Sequence, residues 1–265
     1  MRQNIDVRGR IAGQSAMAAV IEAQSHSAPR STLGRLFGVS PLTAEGRVHY
    51  RGAVGELLVG SILDRLGHSW DVLHGVPVGS SSLDHFAVGR PGVFAISVVN
   101  CQGDEVAVNG NELTIAKRIS DDILVARDAA QVVSESLAVV LEDEVPVTPV
   151  LVLVEPVKLA MLKTPDGVDV LTSMQLEQWL ASAPAVLSGD RVAAISVAAE
   201  ADVTWPQPQQ AAQKSRTLTR AFVRIHHEVR AAEVRRLVWM IGALVTTAVG
   251  AWTLVSVLTG LIVSS

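Results

Sequence analysis

The chain has 265 residues, a formal net charge of −4, 49% apolar residues and a mean hydropathy of +0.34. That length holds one substantial domain with accessories. The mild acidity counts against a nucleic-acid binder, which normally carries a basic surplus to meet phosphates. The single cysteine, Cys101, excludes an internal disulfide and suits a reducing compartment.

Residues 1–44 read as a loosely ordered extension. Within it residues 11–24 can form one alanine-rich helix, broken by the Ser/Pro segment 25–31, and 36–51 is a connecting segment with Pro41 and Gly46. Residues 52–66 form the first core helix by periodicity. Val54, Leu57, Leu58, Ile62 and Leu66 recur at three- and four-residue spacing, and Gly67 is placed to cap it in the left-handed conformation. Glu56 stands in its first turn, where it either complements the helix dipole or points into a site.

Residues 70–76 are the first strand, 77–82 a polar Gly/Ser loop and 83–88 the second strand. Arg90-Pro91-Gly92-Val93 fits a type II turn. The third strand, 93–99, is almost wholly apolar and should be central, covered on both faces. Alternation sets Ala95, Ser97 and Val99 on one side and Phe94, Ile96 and Val98 on the other. Asn109-Gly110-Asn111 marks a hairpin between 104–107 and 113–116. A long helix at about 120–141 follows, its stripe formed by Ile123, Leu124, Ala130, Val133, Leu137, Val140 and Leu141. With the apolar strand 147–154 it completes a βαβ crossover. Residues 168–171 are a short strand, Ser173 an N-cap for a helix to Leu180, and 191–198 either strand or helix.

The α/β domain therefore spans 45–200, and 201–216, with Trp205-Pro-Gln-Pro, is a linker by composition. A helix at 217–236 leads onward. Leu218, Phe222, Ile225, Val229 and Ala232 step by 4, 3, 4, 3, about two heptads of seam. That seam suits headgroups, the chain's own domain, or a homo-oligomer. His226 and His227 are adjacent, point apart on a helix, and are not a metal pair. Residues 237–263 carry no charge and reach roughly 40 Å as a helix, enough to cross a ~30 Å hydrocarbon core with some tilt. Arg220, Arg224, Arg230, Arg235 and Arg236 precede this segment and only Ser264 and Ser265 follow it. The positive-inside rule then predicts a single-pass C-terminal anchor in the cell membrane with the body in the cytoplasm. The same arginines suit anionic lipid heads. The N-terminus shows no secretory signal.

Common catalytic motifs are missing from the sequence: no phosphate-loop lysine, Gly-x-Gly-x-x-Gly, His-Glu-x-x-His, Cys-x-x-Cys or Gly-x-Ser-x-Gly. What remains is Gly52-x-x-Gly55-Glu56, Leu83-Asp84-His85-Phe86-Ala87-Val88-Gly89 and Pro91-Gly92-Val93-Phe94-Ala95-Ile96. At these mutual distances they resemble the nuclease-related domain, NERD, over roughly 45–172. The resemblance implies a restriction-endonuclease-like mixed sheet flanked by helices, cutting DNA with Mg²⁺ held by hard oxygen ligands. It assigns Glu56 as the helix acid and Asp84 as the strand acid. It would place an acid-x-Lys where this chain has Ser97 and Val99, and a glutamine near Asp128 and Gln131. Lys117, beyond the hairpin, is the nearest lysine in sequence. A serine is a poor metal ligand and a valine is neither cation nor base. The expectation is thus an inactive domain without cofactor, acting as a binding or scaffolding module. The alternative is an Mg²⁺-dependent DNA nuclease with a rearranged site.

Overall fold

The computed structural model describes residues 9–25, 27, 30–79, 81–205 and 215–263, with side chains up to Thr253. Five strands make the main sheet: β1 (Trp70–Val78), β2 (Ser81–Gly89), β3 (Gly92–Asn100), β7 (Val147–Val154) and β9 (Asp169–Thr172), in the order β1-β2-β3-β7-β9. β1, β2 and β3 are antiparallel, and β3, β7 and β9 are parallel. β3 is central because its apolar run can be covered on both faces. Phe94 and Ile96 pack with Val59, Ile62 and Leu63 of α3 (Ala44–Leu63), while Ala95 packs with Ala130, Val133 and Leu137 of α4 (Asp122–Leu141). α4 is the crossover between the parallel strands β3 and β7, as its place between two apolar segments predicts.

A second, four-stranded sheet takes three strands from that crossover and its fourth from the segment between β7 and β9. It consists of β4 (Glu105–Asn109), β5 (Glu112–Ile115), β6 (Arg118–Ser120) and β8 (Lys158–Lys163), ordered β6-β5-β4-β8. The β4–β5 turn is the expected one, with Gly110 at φ 61°. β6 and β8 are additions to the sequence reading. The β5–β6 turn is built from Ala116 and Lys117 at φ 49° and 66°, without the glycine that signals such turns.

Several boundaries move. α3 starts at Ala44, capped by the Thr43 hydroxyl on the Gly46 amide, so the second half of the supposed connecting segment is helix. Its buried line runs through Ala53, Gly55, Val59, Gly60, Ile62 and Leu63, leaving Leu57 exposed. Gly67 has φ 79° but ψ −174°, outside the left-handed helical region. Pro77 and Ser82 pair within the β1–β2 hairpin rather than forming a loop; β1 is an edge strand, where proline is tolerated. Gly89 pairs with Gly92, so Arg90-Pro91 is the turn, one residue earlier than the type II reading. α5 (Ser173–Ser182) is capped by Thr172 in a capping box with Gln175, and Ser173 is its first residue. Residues 191–198 are helical, inside α6 (Gly189–Glu200). Trp205 of the supposed linker is buried and donates to the Ala199 carbonyl at 2.8 Å; residues 206–214 lie outside the described residues.

The N-terminal extension is packed where it is described. Met17 and Val20 of α1 (Gln14–Ser25) join Ala53 of α3 and Leu218, Phe222 and Val229 of α7 (Ser215–Val263) in one apolar cluster. The heptad seam is therefore filled by the chain's own domain. α7 is one continuous helix, and from Glu233 to Thr253 every side chain is exposed. Its described part, Ser215–Thr253, is long and apolar enough to cross a membrane.

Candidate functional site

β2 and β3 pair from Gly89↔Gly92 to His85↔Ile96 and then part. β2 continues beside β1, and β3 continues beside β7. Parting strands leave amides without a rung, and a buried amide needs an acceptor. Asp84 supplies one: its Oδ2 accepts from the Val98 amide at 2.7 Å. The carboxylate thus sits in the notch between the strands.

Glu56 enters from α3. Gly55 beside it allows the approach: a Cβ there would stand 3.2 Å from Asn100 Cβ and 3.4 Å from Val98 Cγ1. The Asn100 side chain then donates to the Arg51 carbonyl at 2.9 Å, fastening α3 to the end of β3. This is the structural content of the Gly-x-x-Gly-Glu sequence. Burial, reinforced by the Asp84 carboxyl, pushes Glu56 up to about 9, with the Gly13 amide pulling the other way. Burial likewise lifts Asp84 to about 7 against the Val98 amide, and Asp122 adds to the rise. Two carboxyls share this notch and hold at least one proton between them at neutral pH.

Ser97 is half-buried on β3. Val99, two residues on, packs against the apolar cluster of Cys101, Val106, Val108 and Leu113. Asp128 and Gln131 are exposed on α4, and Gln131 bonds Glu135 at 2.9 Å; neither belongs to the notch. Lys117 stands in the β5–β6 turn. The charges that raise Glu56 and Asp84 are the Asp84 and Asp122 carboxylates respectively.

Sequence reasoning missed Asp122 and the histidine pair. Asp122 opens α4, accepts from Ser120 Oγ at 2.5 Å, and raises both Asp84 and the Cys101 thiol, the latter pushed up to about 11 mainly by burial. Its signal was the Ser120-x-Asp122 pattern at a helix start. His85 is fully buried; its Nδ1 lies 2.8 Å from Nδ1 of His74, so one ring donates and the other accepts. Burial and then His74 push His85 well down, with the Glu56 main-chain carbonyl opposing. Burial also lowers His74, against Asp64 at 3.8 Å. Gly60 is needed for the close approach of Ala12, whose Cβ would lie 2.5 Å from a Cβ there, while both histidine rings would be in ordinary contact with it.

An octahedral Mg²⁺ wants several free oxygen ligands. Asp84 already accepts the Val98 amide, and Asp122 accepts from Ser120. Among the described residues no three His, Cys, Asp or Glu side chains converge to hold a metal ion. As placed, this donor set does not fit that cation.

The fold is a mixed α/β one whose antiparallel strands part around Asp84, with Glu56 of α3 beside it. Residues 51–154 match the family model of the nuclease-related domain, NERD. The matched stretch runs from within α3 to the last residue of β7, so it contains Glu56, Asp84, Ser97, Val99 and Asp122. No curated protein and no solved structure matches the chain.

Proposed function

We propose that this is a membrane-anchored nuclease-related domain that has lost hydrolysis and serves as a cytoplasmic binding or scaffolding module. The observation that carries the reading is the pairing of Glu56 and Asp84, both raised, with Val99 packed into an apolar cluster at the position where the family's lysine would stand. A buried acid pair without a cation favours its protonated form, which is a weak ligand for Mg²⁺. A valine can neither position water nor steady developing charge, and single stabilising groups of that kind are commonly worth ~10²–10³ in rate. The arginines before residue 237 support a cytoplasmic body, and the all-round exposure of residues 233–253 supports the anchor.

One observation favours a second reading, an Mg²⁺-dependent nuclease with a rearranged carboxylate set: Asp122 raises Asp84, so a third acid approaches the notch. Cleavage of plasmid and single-stranded DNA by the full chain in nanodiscs, titrated with Mg²⁺ and Mn²⁺, separates the two. The first reading expects no metal-dependent product. Cleavage that Asp84→Ala abolishes and Asp122→Asn weakens establishes the second.

A further inference from the structure

The short helix α2 (Thr32–Leu36) and the residues after it are fastened to α7 where its apolar half begins. Trp239 Nε1 donates to the Leu36 carbonyl at 2.9 Å, and the Phe37 and Trp239 rings lie 5.0 Å apart. Arg235 donates to the Arg35 carbonyl at 3.3 Å, and Arg30 donates to the Val39 carbonyl at 3.1 Å and to Glu228 at 2.8 Å. Gly38, at φ 71°, lies so close that a Cβ would overlap the main chain of Ala232 and Arg236. The loop is thus seated level with residues 232–239. Yet it turns Leu33, Leu36, Phe37 and Val39 outward, Leu33 being 67% exposed. An exposed apolar cluster held at the start of an apolar helix is continuous with it, and an aromatic ring at that level suits the membrane interface.

A basic cleft of about 680 Å³ opens beside it, lined by Arg30, Arg35, Arg220, Arg224 and Arg235, with Glu228 the one acid lining it among the described residues. Helical rise sorts these charges by height. Arg235 stands about 3 Å above residue 237, and Arg220 roughly 25 Å above it. Arg35 and Arg235 are therefore the pair at headgroup level, and surface attraction falls off within a Debye length of ~8 Å.

We propose that residues 33–39 are a second membrane-contacting element: Leu33, Leu36 and Phe37 enter the lipid interface beside the anchor, and Arg35 and Arg235 take the phosphates of anionic headgroups. This rests on the reading of 237–263 as a membrane span. The height of the contact, together with its apolar side chains, favours a bilayer over a nucleic acid, which needs no aliphatic surface.

The test uses the full chain in nanodiscs of phosphatidylcholine with or without phosphatidylglycerol. Nitroxides are placed at Leu33→Cys and, separately, Val249→Cys; the buried Cys101 stays in place and unlabelled wild type is the blank. The expected result is a label at 33 shielded several-fold from a water-soluble nickel chelate, more so with phosphatidylglycerol, and a label at 249 in the lipid core. Arg35→Gln with Arg235→Gln should lower the preference for spin-labelled phosphatidylglycerol by roughly fivefold per arginine, while Arg220→Gln with Arg224→Gln changes it little. A label at 249 in lipid with that at 33 in water for both compositions overturns the inference and leaves the anchor standing. A label at 249 in water removes the anchor and the inference together. Loss of duplex-oligonucleotide binding in the Arg220/Arg224 variant, with lipid preference unchanged in the Arg35/Arg235 variant, makes the cleft a nucleic-acid site and overturns the lipid assignment.

Discussion

The notch between β2 and β3 gathers acids, and the foot of α7 gathers arginines of which Arg30 is paired with Glu228 at 2.8 Å. In the notch two carboxyls face each other with Asp122 nearby, and burial has pushed them toward neutrality. At the foot of α7 arginines line a cleft whose one acid among the described residues is Glu228. A hydrolytic site of this architecture needs acids and a cation in one place, because the metal and the developing charge are both held there. Here the acids are at the sheet and the arginines are beside the apolar half of α7. The difference teaches that a fold can keep the geometry of a site while its charge balance serves another surface.

The strongest way to break this comparison is at the membrane end. Val249→Arg places a charge in the middle of the span, at a cost of about 3 kcal/mol on insertion scales. The full chain should shift from the membrane to the soluble or aggregated fraction on carbonate extraction; unchanged membrane retention would argue that α7 is not an anchor.

The notch should reveal itself through pH. Glu56 and Asp84 are raised in the folded state, so folding retains protons that the unfolded chain releases above about pH 4. Their contribution is fully present in acid and is lost as pH rises toward about 7 for Asp84 and about 9 for Glu56. Denaturant unfolding of the full chain in detergent should therefore show stability falling between pH 5 and 9, by up to roughly 1.4 kcal/mol per pH unit for each retained proton. Glu56→Gln mimics the protonated form and should flatten the upper part of that slope while costing little at pH 5. A slope unchanged by Glu56→Gln would mean that a cation already balances the pair.

A smaller effect tests how the notch is held open. Gly55→Val forces a side chain against Asn100 and Val98 and should cost about 1–3 kcal/mol, read as a lowered unfolding midpoint. The smallest concerns the tie from α3 to the second sheet. Arg51 meets Asp104 at 2.7 Å, but Arg51 is 39% exposed, so Arg51→Ala should cost no more than about 1 kcal/mol and less at high salt.

Much of this was legible in the chain. Residues 93–99 and 147–154 read as central strands because burial on both faces leaves no place for polar residues, and they pair in parallel. Glu56 and Asp84 read as a pair only through the resemblance to the nuclease-related domain that the glycine and Asp-His patterns carry. Other features were hidden for identifiable reasons. The first turns of α3 contain Gly46 and Gly52, which weaken a helical pattern whose cap was Thr43. β6 follows a turn of alanine and lysine, and β8 leaves Met161 and Leu162 exposed, so neither shows alternation. His74 meets His85 as its cross-strand partner in the β1–β2 hairpin, a register readable only once the turn is placed, and Asp122 reaches Asp84 through tertiary approach, so its helix-start pattern did not show what it would face. The seam of α7 was visible as a pattern, but only packing told which surface fills it.

The central claim, that the acids have lost their catalytic partner, is tested most directly by DNA cleavage with the full chain in nanodiscs across Mg²⁺ and Mn²⁺ concentrations, beside Asp84→Ala. The account predicts that wild type and Asp84→Ala are indistinguishable from the metal-only control at every concentration. Metal-dependent cleavage by wild type that disappears in Asp84→Ala would contradict it.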